Sequence, residues 1–149
     1  MKSNHSEHMR KTWNAQHALL RRFLEKEQDL LKAREVFADH HAMVHSGQIR
    51  AFGGYSFQDE VLQDLTEEQL RFTPPANTYP AVWILWHITR IEDAAMNVLL
   101  MDMPEVFHSG KWQRKLNIPY AGVGNELKVM EIIALSKRVN VRNYTVNFT

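Results

Sequence analysis

The sequence predicts an all-α fold, and three observations predict it. Two long segments carry apolar residues at helical spacing. Proline and glycine stay out of the body of both and punctuate the chain between them. Helix-start signatures precede the shorter pieces, most clearly Thr66-Glu67-Glu68-Gln69, where Thr66 caps and Gln69 reaches back in a capping box.

The elements follow in order. The first long helix is expected from Lys11 to His45, with residues 1–10 a mobile N-terminus. Leu20, Phe23, Leu24, Leu30, Leu31, Phe37 and Val44 form its apolar spacing, Glu25, Lys26, Glu27, Lys32 and Arg34 occupy much of the rest, and Gly47 stops it. Ile49 to Phe57, with Gly53-Gly54, reads as a loop, and Ser56 caps a short helix over Phe57–Leu65. The Thr66 segment ends at Pro74-Pro75. Asn77 or Thr78 then caps a second long helix, with Pro80 in its first turn, running to about Met101. Its first half is apolar on nearly every side, the mark of a helix surrounded by others. Met103 to Gly124 reads as mostly irregular. Asn125 caps a short helix, Glu126–Leu135, and Asn140 caps another that has barely begun at Thr149.

A chain of 149 residues suggests one domain able to bury a core without staples. The net charge of +1 and the lack of a basic stripe argue against nucleic acid as a partner. No stretch is long enough to span a membrane, and no signal segment follows Met1. The absence of cysteine removes disulfides, thiolate metal sites and thiol nucleophiles, and fits a cytoplasmic location. Phosphate loops, GxSxG elbows and the zincin His-Glu-x-x-His are also missing. With two long helices and several short pieces, a closed four-helix bundle is one face short. The expectation is an incomplete up-down bundle, completed by a partner copy in a homodimer or by further chain.

Histidine carries the chemistry that remains. His41 and His45 lie four apart, on one helical face, close enough to share a metal ion. The competing reading is a polar helix end, with histidines against the negative end of the dipole and His40 adding to it. His87 lies in the most apolar helix, on a stripe with Trp83, Ile91, Ala94 and Val98, and is expected to be buried. It is either a core histidine bonded to a carbonyl or carboxylate, or a third ligand. If the long helices run antiparallel, the three histidines come to the same end. Glu92 lies about 140° round the helix from His87 and is read as pairing with a nearby Arg or Lys. His108 has no evident partner.

The string Leu65-Thr66-Glu67-Glu68-Gln69-Leu70-Arg71 with Pro74, then Trp83-Ile84-Leu85-Trp86-His87-Ile88-Thr89-Arg90-Ile91-Glu92-Asp93, then Asn97 to Leu100, resembles the DinB-like superfamily. Trp112 to Leu116 and Gly122 to Asn125 also fit, so the resemblance covers about residues 57–144. Mycothiol-dependent maleylpyruvate isomerases and bacillithiol transferases belong to the same group. The resemblance implies a four-helix bundle, often dimeric, holding a divalent metal on three histidines; zinc or nickel is the ion expected here. One ligand position matches His87. The family's other two come from a His-x-x-x-His pair on the last long helix, which has no counterpart after His87; His41-x-x-x-His45 looks like that pattern on a different helix. The implied activity is a metal-dependent small-molecule or thiol-dependent transferase or hydrolase. The alternative is a non-catalytic helical module that self-associates, with His87 a structural core residue.

Overall fold

The computed structural model describes residues 2–47, 55–75 and 78–141, with side chains from residue 7 onward. The described residues form helices and turns with no strand, so the chain is all-α. Contacts divide it into two compact units, Met1–Asp64 and Leu65–Phe148. The loop containing Gly53-Gly54, Asn77 and the helix expected beyond Asn140 fall wholly or mostly outside the described residues.

In the first unit the predicted single helix is two. Helix α1 runs Lys2–Leu24, a 3-10 turn covers Glu27–Asp29, and α2 runs Leu30–Ala42. Lys26 breaks the helix with an extended backbone, φ −133° and ψ 123°. Neither Gly nor Pro marks the break, but Glu25 to Asp29 holds no apolar side chain. A straight helix from Lys11 to His45 would stretch about 50 Å with its apolar stripe unpartnered. Folding back at the polar stretch packs α1 on α2 instead. The Trp13 ring stacks on His40 at 3.9 Å between centroids, and His40 Nε2 lies 3.0 Å from the Trp13 carbonyl. The buried residues are therefore Leu20, Ala33, His40 and Met43, whereas Leu24, Leu30, Leu31, Phe37 and Val44 are exposed. Helix α3, Phe57–Leu62, starts where Ser56 accepts from the Asp59 amide at 3.0 Å, as its sequence predicts.

The second unit starts with α4, Glu67–Arg71, and both bonds of the expected capping box are present. Arg71 reaches across to the end of α8, Val129–Arg138, donating to the carbonyls of Ser136 at 2.5 Å and Val139 at 2.7 Å. Among the described residues no helical amide reaches those carbonyls, and the guanidinium closes the helix end. Helix α5, Ala81–Asp93, has Pro80 at its N-cap; Thr78 donates instead to the Pro75 carbonyl. After Asp93 the backbone widens into a π-helix, Ala94–Leu100. Two short helices, α6 (Val106–Ser109) and α7 (Trp112–Lys115), occupy the stretch predicted to be mostly irregular. Helix α8 begins later than expected, with Glu131 rather than Asn125 closing its first turn by accepting from the Lys128 amide at 2.8 Å.

The core of this unit gathers Val82, Trp86, Phe107, Leu116, Ile118, Ile132, Leu135 and Val139. Trp86 is completely buried, so truncating it to alanine costs about 3–5 kcal/mol. The expectation that α5 is enclosed on nearly every side is corrected: its buried face is Val82, Trp83, Trp86 and Arg90, and Ile84, Ile88 and Ile91 are exposed. No described helix is long and apolar enough to cross a membrane.

Candidate functional site

His41 and His45 meet as their spacing predicts. His41 lies in the last turn of α2 and His45 just beyond it, both half-buried. Their Nε2 atoms are 3.2 Å apart, with ring centroids at 4.6 Å and planes 58° apart. Two imidazole nitrogens bound to one zinc at about 2.0–2.1 Å and a tetrahedral angle stand about 3.3 Å apart. The two rings are hydrogen-bonded to one another at that distance, which is also close to the separation one ion would need. Phe37 stacks on His41 at 5.7 Å, and the backbone behind His45 is tied down twice. Ser56 Oγ donates to the His45 carbonyl at 2.5 Å, and the Gly47 amide donates to Asp59 at 2.7 Å. The Phe57 amide closes the same frame on the Met43 carbonyl at 2.9 Å.

His87 belongs to the second unit and is half-buried, not buried as expected. Of its predicted stripe only Trp83 is buried; Ile91 and Val98 are exposed. Trp83 stacks on the imidazole at 4.5 Å and 13°. The Nδ1 atom lies 2.7 Å from the Val123 carbonyl. A carbonyl only accepts, so Nδ1 carries a proton, and in the neutral imidazole the lone pair is on Nε2. A metal-ligating histidine is prepared in the same way, one nitrogen donating to a backbone carbonyl and the other facing the ion.

The loop that supplies this carbonyl requires glycine. Gly124 has φ +101°, and a Cβ there would stand 2.7 Å from the Trp86 ring and 3.4 Å from His87 Nδ1. At Gly122 a Cβ would strike the Tyr120 hydroxyl. The Gly-Val-Gly spacing was the sequence signal for this close approach.

Arg90 holds the same loop from beneath. It is buried and donates to Asp93 at 3.0 Å, Glu105 at 3.1 Å and the Ala121 carbonyl at 3.2 Å, with its guanidinium 3.9 Å over the Phe107 ring. Asp93 also accepts from the amides of Val106 and Phe107, both at 2.8 Å. His108, which the sequence left without a partner, lies 2.6 Å from Glu105. Their i,i+3 spacing was the available signal.

Tyr120 donates a hydrogen bond to Glu126. That bond, with burial and the nearby carboxylate charge, raises the phenol above its ordinary range, and it holds the Glu126 carboxyl below its own.

Comparison with known families finds that the model of the DinB superfamily matches residues 58–139. No curated protein and no solved structure matches the chain.

Proposed function

The chain belongs to the DinB superfamily, and on that premise we propose that it binds a divalent metal, zinc or nickel, through His41, His45 and His87, and acts as a small-molecule or thiol-dependent transferase or hydrolase. The observation that carries this reading is the 3.2 Å approach of the His41 and His45 Nε2 atoms. The tautomer imposed on His87 by Val123 supports it. A divalent ion in such a site lowers the pKa of a bound water or thiol and so provides a nucleophile at neutral pH. The chain's own residues orient the donors: Trp83 fixes the plane of His87, Val123 fixes its proton, and Ser56 fixes the backbone of His45. Without cysteine, any thiol in the reaction comes from a cosubstrate. A cytoplasmic location belongs to the same reading.

Elemental analysis of the untagged protein beside His87→Ala and His41→Ala/His45→Ala tests this. Near-stoichiometric zinc or nickel, lost in both histidine variants, is the expected result. Loss in one histidine variant only confines the ligand set to that side. No metal in any sample after incubation with zinc and nickel removes the proposal.

A second reading has its own observation. Ile84, Ile88 and Ile91 of α5, and Val98 to Met101 beyond it, are exposed, Leu99 by 79% and Leu100 by 71%. Exposed apolar surface of this kind favours self-association into a homodimer, with His87 structural. Light scattering distinguishes the cases: a dimer without metal supports this reading, and a metal-bearing monomer removes it.

A further inference from the structure

The second unit carries a cleft of about 550 Å³ that none of the metal-binding reading uses. Pro119 is the exposed apolar residue of its wall, with the buried Phe107 and Ile118 behind it, and three cations line it, Lys111, Arg114 and Arg138. His108 also lines it, but Glu105 occupies that imidazole at 2.6 Å. No carboxylate is among the lining residues. Nor does any described ion pair engage Lys111, Arg114 or Arg138. Like charges brought to one concavity without a counter-charge repel one another, so the arrangement favours an anion between them.

The cleft is built from backbone that is held in place. Arg138 ends α8, the helix end that Arg71 clamps from α4. The Asn140 amide donates to the Leu116 carbonyl at 2.9 Å, and Asn117 Nδ2 donates to the Arg138 carbonyl at 3.4 Å, joining that helix end to the segment after α7. Lys111 enters α7 in the left-handed region at φ +54°, an uncommon backbone for lysine. Ile118 and Leu116 are buried beneath.

The geometry points to a binding site for a small organic phosphate in this cleft. Two arginine forks suit phosphate oxygens, the lysine adds a third charge, and Pro119 offers the organic part an apolar contact. The volume matches a small-molecule site. This inference stands independently of metal binding.

Calorimetric titration with inorganic pyrophosphate and with a hexose monophosphate tests it, with malonate as a dicarboxylate comparator. Saturable binding of one ligand per chain is expected, weakened by at least about tenfold in Arg114→Ala/Arg138→Ala. Lys137→Ala, outside the cleft, should bind like the parent. These side chains are exposed, so the variants should keep the parent's circular dichroism. Titrations repeated in the His41→Ala/His45→Ala/His87→Ala protein should give the same affinity, which excludes phosphate held by a metal. The inference is overturned by absence of saturation at millimolar ligand, by equal affinity for malonate, or by unchanged binding in the double arginine variant. A short DNA duplex that displaces pyrophosphate at lower concentration would overturn the small-molecule assignment in favour of a polyanion.

Discussion

His41 and His45 are held by each other, whereas His87 is held by everything around it. The first pair owes its 3.2 Å approach to helical spacing, with two tethers on the neighbouring backbone. His87 is stacked on Trp83 and bonded to a carbonyl whose loop depends on Gly124 and the buried Arg90. Spacing alone brings donors together. Fixing a tautomer takes a second layer of residues distant in sequence.

That contrast can be broken most forcefully at Arg90. Replacing it with methionine removes a buried cation and leaves the half-buried Asp93 and Glu105 without it, at a cost of up to about 3–5 kcal/mol. Urea denaturation should show that loss. Imidazole NMR of the metal-free protein, at a temperature where the variant stays folded, should show His87 disturbed and His41 and His45 unchanged. Movement of all three histidines would mean that the two regions do not differ as described.

A smaller effect is expected at Gly124. The left-handed backbone and the clash with Trp86 should make Gly124→Ala less stable by about 1–3 kcal/mol. Long-range nitrogen–proton correlation should then find the His87 proton distributed over both ring nitrogens. An undisturbed Nδ1–H tautomer would show that the Val123 carbonyl does not depend on that glycine.

Tyr120→Phe sharpens the comparison by pH, and the effect is the smallest. The phenol is raised, so its contribution to stability is complete below the ordinary tyrosine value of 10.0 and is lost as pH rises through the raised value. The Glu126 carboxyl is lowered, so its contribution is present above the ordinary value of 4.5 and is lost as pH falls through the lowered one. The stability difference between parent and variant should stay flat through the neutral range and shrink at both edges. A difference independent of pH would assign the bond no electrostatic role.

Much of this was legible in the sequence, and the reasons for the rest are physical. Helical spacing and caps gave the all-α class, the Thr66 box and the Ser56 cap. The same spacing brought His41 to His45. The break at Lys26 was hidden, because no residue there forbids a helix and only the gain from packing α1 on α2 decides it. The extent to which His87 is buried was misjudged because a hydrophobic stripe reports what a helix offers, not what covers it. The partner of His87 is a main-chain carbonyl 36 residues away, and a carbonyl has no sequence signature beyond the glycines that let it approach.

The π-helix at Ala94–Leu100 has a consequence for that stripe. Each wide turn takes more residues to come round than an α turn, so the angular phase of the helix slips as it passes. Side chains beyond Asp93 fall behind the meridian on which His87 and Ile91 lie. Val98 therefore leaves the line that an unbroken α-helix would have kept. The segment works as a vernier: one residue more or fewer within it would rotate the exposed Leu99, Leu100 and Met101 about the axis. The anchored half carrying His87 and Arg90 would keep its azimuth, so the surface this helix offers and the histidine it positions can vary separately.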